Sequence, residues 1–107
     1  MSELSKENLI AAGYREHPVT PPKLADAFFQ KRVRHETESR STRYFINLFF
    51  YSFPDGMEKW SGELNTYLAN GEYIDLGIHD CKDIEGTETF FEHAFTALNC
   101  RDYDDDF

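Results

Sequence analysis

His79-Asp80-Cys81 puts three metal-ligating residue types side by side, and His93 and Cys100 follow within about twenty residues. Such residues can hold zinc, whose ligands must all sit about 2.0–2.3 Å from one ion. The spacing argues against it. The stretch between the two cysteines reads as a helix, which rises 1.5 Å per residue and holds Cys81 and Cys100 about 22 Å apart. On that helix His93 lies about 200° around the axis from Phe91, pointing to solvent. No metal and no other cofactor is expected. The same separation exceeds the roughly 7 Å between Cα atoms that a disulfide spans, so both thiols are expected to be free, as in a reducing compartment.

Paired carboxylates can share acid and base roles, and Asp80/Asp83 and Glu88/Glu92 are the pairs available. Glu88 and Glu92 are four apart on a helix and read as a solvated face. The chain has no glycine-rich phosphate loop, no Gly-x-Ser-x-Gly elbow and no nucleotide fingerprint. The expectation is a protein that is not an enzyme.

Two charged groups remain. Lys31, Arg32, Arg34, Arg40 and Arg43 adjoin the rings of Phe28, Phe29, Tyr44 and Phe45. Positive charge beside stacking rings is one way to hold single-stranded nucleic acid; the competing reading is that these residues balance the acidic half of the chain. Glu85, Glu88 and Glu92, with the run Asp102–Asp106, could instead imitate spaced phosphates, as a DNA mimic does.

The elements that would position these groups follow from patterning. Ser5 caps a short helix, Lys6 to Ala12, closed by Gly13, with Leu9, Ile10 and Ala12 inward. His17 to Pro22 reads as an extended linker, because each proline biases its predecessor away from helix. Phe28 to Arg34 reads as a strand with Phe29, Lys31 and Val33 on one face, leaving room for a helical turn at 22–27. Glu36 to Ser41 is a hairpin loop. Tyr44 to Phe53 is a strand whose alternate residues are apolar or aromatic on both faces. Tyr44, Ile46, Leu48 and Phe50 are assigned to the core under a C-terminal helix. Phe45, Phe49, Tyr51 and Phe53 are assigned to an interface, with the N-terminal helix as the competing cover.

Pro54-Asp55-Gly56 marks a turn, and Trp60 to Leu68 a third strand with Trp60, Leu64 and Leu68 in register. Asn70-Gly71 is a hairpin signal. It leads into Tyr73 to His79, with Ile74, Leu76 and Ile78 inward and Asp75, Gly77 and His79 outward. Asp83 caps a last helix running to about Leu98, with Ile84, Phe91, Ala94, Phe95 and Leu98 at helical spacing. Residues 101–107 form an acidic tail expected to be mobile. The fold class is α+β: a four-stranded antiparallel meander with an N-terminal and a C-terminal helix, α-β-β-β-β-α, in one domain of 107 residues.

Charge is unevenly placed. Residues 1–43 carry eight Lys/Arg against six Asp/Glu, a net of +2, and residues 44–107 carry three against fourteen, a net of −11, which together give the formal −9. An acidic surface disfavours nucleic acid and anionic lipid. No apolar run approaches the ~20 residues that span a bilayer. Met1-Ser2-Glu3-Leu4-Ser5-Lys6 lacks the basic-then-apolar pattern of a signal peptide, so a cytoplasmic setting is expected.

The layout resembles small accessory proteins of phage and prophage origin. The residues that carry the likeness are Gly13-Tyr14, Gln30-Lys31-Arg32-Val33, Arg43-Tyr44-Phe45-Ile46-Asn47 and Phe90-Phe91. The resemblance implies a binder that redirects or blocks host factors, defence proteins included, and supplies no set of functional residues. The expectation is therefore a non-enzymatic protein-binding module that modulates a host protein and can form a homodimer. Its interface would use Phe45, Phe49, Tyr51, Phe53, Glu85, Glu88 and Glu92. The alternatives are a nucleic-acid binder using the basic 31–43 hairpin and an acidic DNA mimic.

Overall fold

The structure, a computed structural model, describes residues 3–20, 24–36, 41–68 and 70–98. Over these residues the chain forms α1 (Lys6–Ala11), β1 (Arg15–His17), β2 (Ala27–Glu36), β3 (Ser41–Ser52), β4 (Glu58–Tyr67), β5 (Tyr73–Ile78) and α2 (Ile84–Ala97). The strands make one antiparallel sheet in the order β1-β2-β3-β4-β5. The α+β meander stands, with five strands rather than four. The added strand, β1, falls in a stretch with no apolar alternation. Backbone pairing of Arg15, Glu16 and His17 with Gln30, Phe29 and Phe28 makes it a strand. Pro18 follows directly and cannot donate to a ladder, so the strand stops there.

Local chemistry accounts for the boundaries. The Ser5 side chain accepts from the Asn8 amide at 3.2 Å and starts α1. Gly13, at φ 101°, allows the left-handed exit. Asp83 Oδ1 accepts from the Gly86 amide at 2.6 Å and starts α2. Gly71 takes φ 93° in the β4–β5 turn. Residues 24–26 are not helical. Phe53 and His79 lie just beyond strand ends. The 37–40 part of the first hairpin loop, Cys100 and the 101–107 tail lie outside the described residues.

One face of the sheet makes the core. Tyr44, Ile46 and Leu48 of β3, Phe29 of β2 and Leu64 of β4 pack with Phe91, Phe95 and Ile84 of α2, all at most 2% exposed. At about 1.5–3 kcal/mol for each fully buried large apolar side chain, this face carries much of the stability. The Tyr44 and Phe95 rings lie 4.6 Å apart, and Phe50 packs on Trp60 at 4.9 Å. At Gly62 an added Cβ would lie 3.1 Å from Leu48 Cδ2 and Cys81 Sγ and 3.3 Å from Phe91 Cε2, so any larger residue there makes these neighbours give by a few tenths of an ångström.

The N-terminal arm joins the same side. Leu9 and Tyr14 are buried in the cluster that holds α2. Ala12 packs against that cluster, whereas Ile10, expected inside, is 49% exposed. Leu98, also expected inward, is exposed because α2 ends at Ala97. Both helices therefore lie on one side of the sheet, and α1 is not the cover of the second aromatic face.

Candidate functional site

The face of the sheet turned away from the helices is built by register. Period-two alternation puts Phe45, Asn47, Phe49 and Tyr51 of β3 on it. Pairing aligns them with Phe28, Gln30 and Arg32 of β2 and with Lys59, Ser61, Glu63 and Asn65 of β4. Arg15 and His17 extend the rows through β1, and Tyr73, Asp75 and Gly77 through β5.

A ladder of amides crosses this face. Gln30 Nε2 donates to Asn47 Oδ1 at 2.8 Å, Asn47 Nδ2 donates to Asn65 Oδ1, and Asn65 Nδ2 donates to Asp75 Oδ1 at 2.8 Å. Asn47 is only 4% exposed, so its satisfied amide is what permits a polar side chain at the centre of the sheet. Rings fill one side of the ladder. Phe28 stacks on Phe49 at 4.7 Å and 10°, and His17 leans on Phe28 at 5.6 Å. On the other side the Arg32 guanidinium lies 5.7 Å from the Phe45 ring centre, within cation–π range. Tyr67 and Tyr73 meet edge to face at 5.3 Å.

Of the residues assigned to an interface, Phe45, Phe49 and Tyr51 share this face, as expected. Phe49 is itself 5% exposed and forms the floor, while Phe45 and Tyr51 are half-buried. Phe53 is exposed past the end of β3. With Leu24 it borders a groove of about 570 Å³ that takes in Tyr51, Lys59, Ser61, Glu63 and His79. Glu85, Glu88 and Glu92 are on α2, on the opposite layer, so the fold does not bring the acidic helix and the aromatic face into one surface.

Glu88 corrects a second expectation. It is not part of a solvated stripe with Glu92. Its Oε2 accepts from the Tyr14 hydroxyl at 2.9 Å and from Lys31 Nζ at 3.0 Å, and Lys31 also sits 5.3 Å from the Tyr14 ring centre. Burial, then the Glu88 charge and its hydrogen bond, push the Tyr14 hydroxyl well above the ordinary tyrosine range. This triad ties β2, the N-terminal arm and α2 together.

The basic group divides accordingly. Lys31 is on the helix side, and Arg32 and Arg34 are exposed on the open face. Arg43 is the register partner of Arg34, and Arg40 lies outside the described residues. Sequence reading missed Arg15, His17 and Gln30, which surround a groove of about 370 Å³ with Arg32 and Phe45. The alternation of β2 could have flagged Gln30 beside Arg32; nothing local flagged Arg15.

Among the described residues no three His, Cys, Asp or Glu side chains gather as metal ligands, and no helix is long and apolar enough to cross a membrane. Cys81 is a buried free thiol; burial pushes its pKa up while a hydrogen bond with Thr87 opposes the rise. Compared with protein-family models, with curated proteins and with solved structures, the chain matches none.

Proposed function

We propose that this protein is a non-enzymatic protein-binding module of the phage or prophage accessory kind, which binds other chains through the open face of its sheet and so modulates a host protein. The observation that carries the reading is the placement of both helices on one side of the sheet. It leaves half-buried Phe45, Tyr51 and Phe28 on the other, with exposed Phe53 and Leu24 at its border. Apolar groups grouped on an exposed face of a small protein mark interaction sites. The hydrogen-bonded amide ladder adds a rigid floor, which lowers the ordering cost of binding. Tagged wild type and a Phe45→Ala/Tyr51→Ala variant, with folding checked by circular dichroism, are used to capture partners from a host extract. A partner held by wild type and lost by the variant supports the reading; equal capture by both overturns it.

A second reading, single-stranded nucleic acid on the same face, is favoured by one observation, the groove where Arg15, His17 and Arg32 surround Phe45. It requires affinity for an oligonucleotide that falls steeply with salt. Absence of any complex at low salt removes it. The DNA-mimic reading has less support, because Glu88 is engaged by Tyr14 and Lys31.

A further inference from the structure

The open face is electrically divided along the strand order. Its β1–β2 half presents Arg15, Arg32 and Arg34, and its β4–β5 half presents Glu63 and Asp75, with Lys59 near the start of β4 in the Tyr51 row and with β3 and its Phe45-Asn47-Phe49-Tyr51 stripe between the halves. From this division we infer that the occupant of the open face is a second copy of the chain, packed sheet to sheet about a two-fold axis that runs along β3. The inference rests on the reading of the open face as a protein-binding surface and names its partner in the free protein, which a host protein must displace to use the same face.

Of the two-fold axes that lie between two identical faces, the two principal directions are across the strands and along them. An axis across the strands sets β2 on β2 and β4 on β4, opposing like charges. An axis along β3 sets β2 on β4 and β1 on β5, opposing unlike charges, and only this one fits the face. It retains the row of each residue. Arg32, which shares a row with Asn65 and Asp75, then lies over Asn65 of the other copy and one strand, about 4.8 Å, from its Asp75. The β3 stripe meets its own copy at the axis. Aligned packing of twisted sheets at about 30° suits this arrangement. At about 3.3 Å per residue the ten-residue strands run about 33 Å, and four gaps of about 4.8 Å span about 19 Å. That projected area is on the order of 600 Å² per copy, close to the roughly 800 Å² per partner of a stable interface once surface relief is counted. The outer surface of α2, with Glu85 and Glu92, is left outward on both sides of the dimer.

The test is a charge exchange read by sedimentation. Wild type is expected to dimerise, more weakly as salt rises. Arg32→Asp and Asp75→Arg each place like charges together twice and are expected to weaken self-association by at least about tenfold. Mixed in equal amounts, the two variants restore both opposite-charge contacts and are expected to form a heterodimer. This recovery also shows that each variant is folded. A wild type that stays monomeric at high concentration overturns the inference, as does a dimer indifferent to both substitutions, or a mixture that associates no better than its components. A monomeric wild type whose captured partner is still lost on Phe45→Ala/Tyr51→Ala overturns self-association and leaves the open-face reading standing. Partner capture unchanged by that pair overturns the reading itself.

Discussion

The Tyr14 hydroxyl donates to Glu88 Oε2 across 74 positions of sequence, at 2.9 Å, beside the Lys31 ammonium on the same oxygen. The contact holds the N-terminal arm against α2 and keeps both helices on one side of the sheet. Replacing Glu88 with alanine removes the acceptor of two charge-assisted hydrogen bonds. The expected loss is about 1–3 kcal/mol in urea unfolding. Unchanged stability would show that the triad is incidental.

Alkaline pH acts through two buried tyrosines. Burial first, then the charge and hydrogen bond of Glu88, raises Tyr14; burial, then the charges of Glu92 and Glu88, raises Tyr44. The folded-state values exceed the unfolded value of 10.0, so the stabilisation is complete below pH 10 and is lost as pH rises above it. Stability is expected to fall by about 1.4 kcal/mol per pH unit for each such tyrosine. Tyr14→Phe should reduce the slope. Absorbance titration of the native protein should leave Tyr14 and Tyr44 un-ionised until unfolding.

A Cβ at Gly62 would press on Cys81, Leu48 and Phe91. Gly62→Ala is expected to cost about 1–3 kcal/mol by overpacking, since Leu48 and Phe91 are fully enclosed. A melting temperature equal to that of wild type would mean that α2 can lift from the sheet without cost.

The Cys81 thiol is buried, with its pKa raised by that burial. In a Cys100→Ser background a disulfide reagent at mildly alkaline pH should label Cys81 only as fast as the protein opens. Immediate labelling would place the thiol at the surface.

At the exposed end of β2, the backbone amide and then the hydroxyl of Ser52 hold the Asp26 carboxyl below its usual 3.8. A depressed folded value stabilises above the unfolded pKa and is lost as pH falls through the folded one. Carboxyl NMR should place the Asp26 midpoint below 3.8 in wild type and nearer to it in Ser52→Ala. Coincident midpoints would dismiss the interaction.

Much of the fold was legible because its signals are local. Period-two alternation sorts Tyr44, Ile46 and Leu48 from Phe45, Phe49 and Tyr51, whatever packs on either side. Ser5, Gly13, Gly71 and Asp83 act on backbone groups within a few residues of themselves. The spacing of Ile84, Phe91 and Phe95 already defines the buried side of α2.

What the tertiary structure decided is whatever depends on partners distant in sequence. Arg15–His17 has no pattern of its own and is a strand only because β2 offers it an edge. Glu88 looks like any exposed helical carboxylate until Tyr14 and Lys31 arrive from elsewhere in the chain. Adjacent Lys31 and Arg32 go to opposite sides of the sheet, so a basic cluster contiguous in sequence is divided in space. Alternation determines that two faces exist and which residues each holds. The Tyr44, Ile46 and Leu48 face was assignable to α2 from the sequence, but the side taken by α1 was not, because that depends on where Leu9 and Tyr14 can bury apolar surface together with α2.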